Sequence, residues 1–274
     1  MNLAKKSLLH LFMICLSVLF LIPLLWMVST SLKTPDQIFS SQVQWIPHPI
    51  AWNNYSRAVQ YVNLLNAFKN TFFLSALNVT GVLISSSLAA YAFAVLKWKW
   101  RDAFFYLTIA TMMLPEMVTL IPQFIIFQKL GWYGTFLPLI APYLCGNAFY
   151  IFLLRQFFMS IPKELHEAAS IDGCSELTIY RKIYLPLSVP VLSVVALFQF
   201  LITWNDLIKP SVYLIDQKQY TLSLALQQFK AQHGGTEWAL LMASTTMVVI
   251  PVILIFFFAQ KTFIQGIKMT GIKE

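Results

Sequence analysis

Six apolar stretches, each about twenty residues or more in length and nearly free of ionisable groups, dominate this chain: roughly 8–32, 71–96, 103–128, 135–154, 186–205 and 238–260. A hydrocarbon core about 30 Å thick is crossed by about 20 helical residues, because each residue advances the axis by about 1.5 Å. In lipid the backbone must satisfy its own polar groups, so runs of this length and composition become helices. The pattern predicts an all-α polytopic membrane protein with six transmembrane helices, folded as a single domain over 1–274. Only 11% of the 274 residues are charged, against about 25% in an average soluble domain, which leaves no room for a separate soluble domain.

The first run follows Lys5 and Lys6 in the manner of a signal peptide. It is too long for one and is followed by no small-residue cleavage site, so it is expected to persist as the first span. The formal net charge of +8 sits in short clusters between apolar runs rather than along one face or tail, which argues against nucleic-acid binding and for membrane topology. With six spans, Lys5 and Lys6, then Lys97, Lys99 and Arg101, then Arg155, Lys163, Arg181 and Lys182, then Lys261, Lys268 and Lys273 share one side. The opposite side has fewer basic residues, spread over longer loops. The bias places both termini in the cytoplasm. Cys15, Cys145 and Cys174 are scattered, with no ligand spacing, so neither a metal site nor a disulfide framework is expected.

Charge is concentrated between the fourth and fifth spans, in "KELHEAASIDGCSELTIYRKIYLPL" (163–187). Pro162 suits a helix start, Leu165, Ala168 and Ala169 have helical spacing, and Gly173 is a natural stop. Ser175 can cap a second helix whose apolar stripe is Leu177, Tyr180 and Ile183 or Tyr184, until Pro186 opens the next span. The object predicted over 160–186 is a cytoplasmic helix-turn-helix. Its mixture of bases with Glu164, Glu167, Asp172 and Glu176 is unlike a lipid-surface helix, which favours Lys and Arg. A groove on another protein fits better.

The run Glu167, Ala168, Ala169, Asp172, Gly173, followed by Leu185 and Pro186, resembles the EAA loop of the permease subunits of bacterial binding-protein-dependent ABC importers. "PLLWMVSTSLKTPDQIF", "WNDLIKPSVYLIDQKQYTLSLAL" and "FFFAQKTFIQGIKMTGIKE" are similar to the MalG-like, carbohydrate-uptake branch, so the likeness covers essentially the whole chain. Cys174 stands where that family usually has a small residue such as Ala. The resemblance implies the type I importer permease fold in the bacterial inner membrane, and import of a di- or oligosaccharide or related glycoside. Implied partners are a homologous second permease in a heterodimer, two cytoplasmic ATPase subunits and an extracytoplasmic solute-binding protein. In that reading Glu167, Ala168, Ala169, Asp172, Gly173, Leu185 and Pro186 couple to the ATPases. No GxxxxGK[ST] loop occurs, so ATP and Mg are expected on the partner ATPase, with no cofactor on this chain and no enzymatic activity of its own.

Glu116 is the only carboxylate inside an apolar span and stands without an intramembrane partner in sequence; Pro115 and Pro122 would loosen the helix around it. It either lines the solute path or sits near the outer end of a short third helix. Asn205, at the end of span five, is a second pathway candidate. The polar segment holding Gln232, Gly234 and Gly235 is, by resemblance, the loop that meets the binding protein. Two alternatives stay open: the same architecture importing glycerol phosphate or another compatible solute, and, more distantly, an ion-driven secondary transporter.

Overall fold

The computed structural model describes residues 3–230 and 235–271, and all regular structure among them is helical. The principal helices are α1 (Leu3–Ser31), α2 (Asn53–Tyr61), α3 (Leu64–Ala94), α4 (Arg101–Ala110), α5 (Glu116–Lys129), α6 (Leu137–Leu144), α7 (Ala148–Met159), α8 (Lys163–Ile171), α9 (Glu176–Ile179), α10 (Val189–Asn205), α11 (Ile208–Tyr213) and α12 (Trp238–Gly271). Among the described residues, four segments are each long and apolar enough to cross a membrane: Lys5–Ser31, Leu64–Ala94, Leu137–Met159 and Trp238–Gln260. Two bent pairs, Arg101–Met113 with Glu116–Lys129 and Glu176–Leu187 with Val189–Asn205, bring the number to six if each pair is one span. This is a multi-pass membrane protein.

The chain forms two compact units, one of Met1–Leu65 with Leu224–Val252, the other of Asn66–Ser223 with Ile253–Glu274. In the first unit, α1 keeps its apolar residues outward along most of its length, as a lipid-facing helix does. Its end is held by the segment that follows. The amide nitrogen of Asn54 donates to the carbonyls of Ser31 (3.0 Å) and Lys33 (2.9 Å), and the Tyr55 and Ser31 hydroxyls are 2.8 Å apart. Tyr61 stacks on Phe229 at 5.1 Å.

The second unit carries three interrupted spans. In the third, Leu114 precedes a proline and is pushed to extended backbone (φ −80°, ψ 116°), so a 3-10 turn over Thr111–Met113 ends there. Pro115 then caps α5, which leaves at 101° to the first half. Pro122, expected to loosen the same region, lies inside α5, and the helix runs on through it.

The fourth span is broken at Cys145–Asn147, where Gly146 has φ +88°, a conformation that costs a side chain dearly. Asn147 repairs the backbone. Its side chain accepts from the N–H groups of Phe149 and Tyr150, and its own N–H donates to Ser86 at 3.1 Å. Non-helical backbone is tolerated at membrane depth only with such partners. Helices α3 and α6 also approach closely there: a Cβ added to Gly81 would lie 2.7 Å from Leu144. In the fifth span the helix opens at Val189 rather than at Pro186, after a 78° bend.

Candidate functional site

The charged loop is a helix-turn-helix, as the sequence predicts. Helix α8 starts after Pro162 and ends in a turn in which Asp172 N–H donates to Ala168 O (3.0 Å) and Cys174 N–H to Ala169 O (3.0 Å). Gly173 takes φ +78° to close it. A Cβ at Gly173 would meet nothing within 4 Å, so the left-handed backbone, not crowding, demands glycine here. Ser175 caps α9 by accepting from Thr178 N–H. A π-helical stretch, Tyr180–Tyr184, and the short Leu185–Leu187 helix lead into the fifth span.

The apolar stripe keeps Tyr180, Ile183 and Tyr184, as the spacing predicts, but leaves out Leu165 and Leu177. Ile179, Tyr180 and Tyr184 are buried in a cluster with Tyr91, Tyr150, Leu154, Phe158 and Val195, and Ala169, Ile183 and Leu185 pack on its edge. Leu165 and Leu177 face outward instead, with Ile171 87% exposed at the tip. Glu167, Ala168, Asp172 and Gly173 are exposed with them, and so is Pro186. The outer face therefore mixes bare aliphatic side chains with carboxylates.

Polar bonds tie the base of this loop to helix α3. The Tyr91 hydroxyl donates to Glu176 Oε2 at 2.6 Å, and the Tyr180 and Ser87 hydroxyls are 2.7 Å apart. The other oxygen of Glu176 lies 3.6 Å from His166 Nε2 on α8. This carboxylate thus ties the second arm of the loop to a transmembrane helix and stands beside the first. Glu176 lies outside the set of coupling residues that the resemblance implies, since only the fold sets it against Tyr91.

Glu116 opens α5 just past the break, and it is not alone. Lys209 Nζ, from α11 beyond the fifth span, lies 2.6 Å from Glu116 Oε1 and donates to the Tyr143 hydroxyl at 3.0 Å. Asp206 accepts from Lys209 N–H at 3.2 Å. Burial by itself would pull Lys209 down, but Tyr143 and Glu116 more than offset this and it remains an ammonium. Burial pushes Asp206 up from the usual carboxylate range, with Lys209 opposing. The sequence signal for this partner was a single lysine in "NDLIKPSVY", with nothing local to point it at Glu116. Glu116, Lys209, Tyr143, Gln123, Asn147 and Gln199 line a cavity of about 430 Å³.

Asn205 is not part of that wall; its side chain donates back to Leu201 O at 2.8 Å. Gln232 and Gly234 lie outside the described residues, and Gly235 is exposed.

Residues 81–269 match the family described as "Binding-protein-dependent transport system inner membrane component". The chain is 34% identical to the probable ABC transporter permease protein YurM of Bacillus subtilis, covering 92% of this chain and 83% of that one. It is 31% identical to the arabinooligosaccharides transport system permease protein AraQ of Halalkalibacterium halodurans, covering 92% and 90%. The fold also superposes on a chain from the crystal structure of a bacterial ABC transporter involved in the import of the acidic polysaccharide alginate, with a TM-score of 0.84 at 24% identity over 96% of this chain and 99% of that one. Interrupted apolar spans, a charged loop pinned to a transmembrane helix and these likenesses agree: the chain belongs to the family of inner-membrane permease components of binding-protein-dependent ABC transport systems.

Proposed function

We propose that this protein is one half of the translocation pathway of an ATP-driven importer for a di- or oligosaccharide, completed by a homologous second permease, two cytoplasmic ATPases and an extracytoplasmic binding protein. Both termini and the charged loop face the cytoplasm, in keeping with the clustering of Lys and Arg. The chain binds no nucleotide; ATP and Mg belong to the ATPases, which matches the lack of a phosphate-binding loop in its sequence.

The observation that carries this reading is the construction of the loop. Its outer face offers Leu165, Ile171 and Leu177 beside Glu167 and Asp172, a pattern suited to a groove with apolar floor and basic rim. Its inner face is fastened to α3 through Tyr91–Glu176 and Ser87–Tyr180. A force on the docked tip reaches the membrane helices through packed side chains and not through a slack linker. Glu167, Ala168, Ala169, Asp172 and Gly173 form the docking element, and Leu185 and Pro186 carry it into the fifth span. The sugar assignment is supported by the name of the arabinooligosaccharide relative. The segment around Gln232, Gly234 and Gly235 meets the binding protein.

The test is to purify the tagged chain in mild detergent, identify what accompanies it, and measure ATP-dependent oligosaccharide uptake in proteoliposomes. Wild-type complex should contain the ATPases and a second permease. Glu167→Lys should keep ATP hydrolysis and lose uptake. A single chain active without ATPase, or full uptake in Glu167→Lys, overturns the reading.

A further inference from the structure

The cavity beside Glu116 lies among both halves of the third span, the break in the fourth and the end of the fifth, and its volume of about 430 Å³ falls within the range of small-molecule sites, roughly 300–1,000 Å³. Its polar groups are of two kinds. Gln123, Asn147, Gln199 and Tyr143 offer uncharged amide and hydroxyl groups, which both donate and accept. Glu116 and Lys209 are charged but neutralise each other at 2.6 Å. Asp206 accepts from the backbone N–H of Lys209 and lines a smaller hollow with it and Glu116.

Resting on the reading of the chain as an oligosaccharide permease subunit, we propose that this cavity is a ligand subsite on this chain for an uncharged, polyhydroxylated molecule, and that the Glu116–Lys209 pair excludes anionic sugars. Glu116 has one oxygen engaged by Lys209 and is about two-thirds exposed, so its other oxygen can accept from a sugar hydroxyl. Lys209 spends two of its three donors on Glu116 and Tyr143, leaving one for a hydroxyl oxygen. A sugar carboxylate meets a different site. If it takes the third donor of Lys209, it stands against the Glu116 carboxylate already paired with that ammonium, with Asp206 held nearby on the Lys209 backbone N–H. Like charges brought next to one another repel, so a carboxylate is held less well there than a hydroxyl. This chain thus selects neutral sugars although its fold is shared with an importer of an acidic polysaccharide.

The experiment uses the assembled permease–ATPase complex in lipid nanodiscs, without binding protein or ATP. Saturation-transfer NMR is recorded with arabinotriose and with digalacturonate as probes. Wild type should saturate arabinotriose at least tenfold more strongly than digalacturonate. Glu116→Gln removes one charge-assisted hydrogen bond, which lowers the arabinotriose signal by about tenfold, and it frees Lys209, so digalacturonate should gain. Tyr143→Phe and Gln123→Ala, which keep the ion pair, should weaken arabinotriose without admitting digalacturonate. Equal wild-type signals for the two probes, or an unchanged ratio in Glu116→Gln complex that still elutes intact, overturns the proposal. Stimulation of wild-type ATPase by the cognate binding protein separates the two levels. If stimulation is present while the NMR predictions fail, only the cavity assignment falls; if it is absent, the transport reading falls as well.

Discussion

Gly173 allows the coupling reading to be tested through backbone conformation alone. Its φ of +78° lies in the left-handed region, and the space where a Cβ would go is empty to 4 Å. Substitution therefore costs conformational energy and no steric energy within this chain. For an ordinary L-residue the left-handed region costs about 1–2 kcal/mol, and Asn escapes most of this through local hydrogen bonding. Gly173→Ala should thus lower the population of the closed turn by roughly 5- to 30-fold; Gly173→Val, being β-branched, should do worse, and Gly173→Asn should come close to wild type. If the loop docks only with this turn formed, ATP-driven oligosaccharide uptake by reconstituted complex follows the order Gly, Asn, Ala, Val, while the chain stays inserted and folded. Uptake and ATP hydrolysis measured together on the four proteins decide the matter. Should Asn prove as damaging as Val, the glycine is required because a partner packs against it, and the conformational argument is refuted. Should all four transport alike, the turn is irrelevant to coupling.

Other substitutions probe the remaining anchors. Tyr91→Phe deletes the 2.6 Å bond to Glu176 and should cost about 1–2 kcal/mol, seen as a lower thermal midpoint in detergent, with uptake reduced more than ATP hydrolysis; an unchanged uptake-to-hydrolysis ratio would remove Tyr91 from the force path. Asn147→Ala leaves two helix N–H groups of α7 without their acceptor and should destabilise by about 1–2 kcal/mol, whereas Asn147→Asp, which retains the acceptor, should recover most of the loss in the same melting assay. Asn54→Ala strands the carbonyls of Ser31 and Lys33, which should cost about 1–3 kcal/mol and speed proteolysis of the 32–61 segment in intact membranes.

The helical breaks show how far local sequence carries. Pro115 marked the interruption of the third span because a proline constrains the residue before it, whatever surrounds it. Pro122 carries the same local signal, yet α5 continues past it. In the fourth span Gly146 and Asn147 supply a turn and a cap from neighbouring residues, whereas the acceptor for the N–H of Asn147, Ser86 of α3, comes from a distant segment.

Membrane insertion, the positions of six apolar segments, the helix-turn-helix between the fourth and fifth, and a helix stop at Gly173 were all written in the sequence by itself. These follow from hydropathy, helical periodicity and backbone sterics, which act over a few neighbouring residues. Tertiary structure alone decided that Lys209 answers Glu116, that Glu176 rather than a motif residue ties the loop to Tyr91, and that Leu165, Ile171 and Leu177 face outward. Each of those depends on side chains from distant segments meeting at 2.6–3.6 Å or being turned away from the core. Such meetings are set by how helices cross and bend, and no local pattern of residues encodes an angle of 101° or 78°.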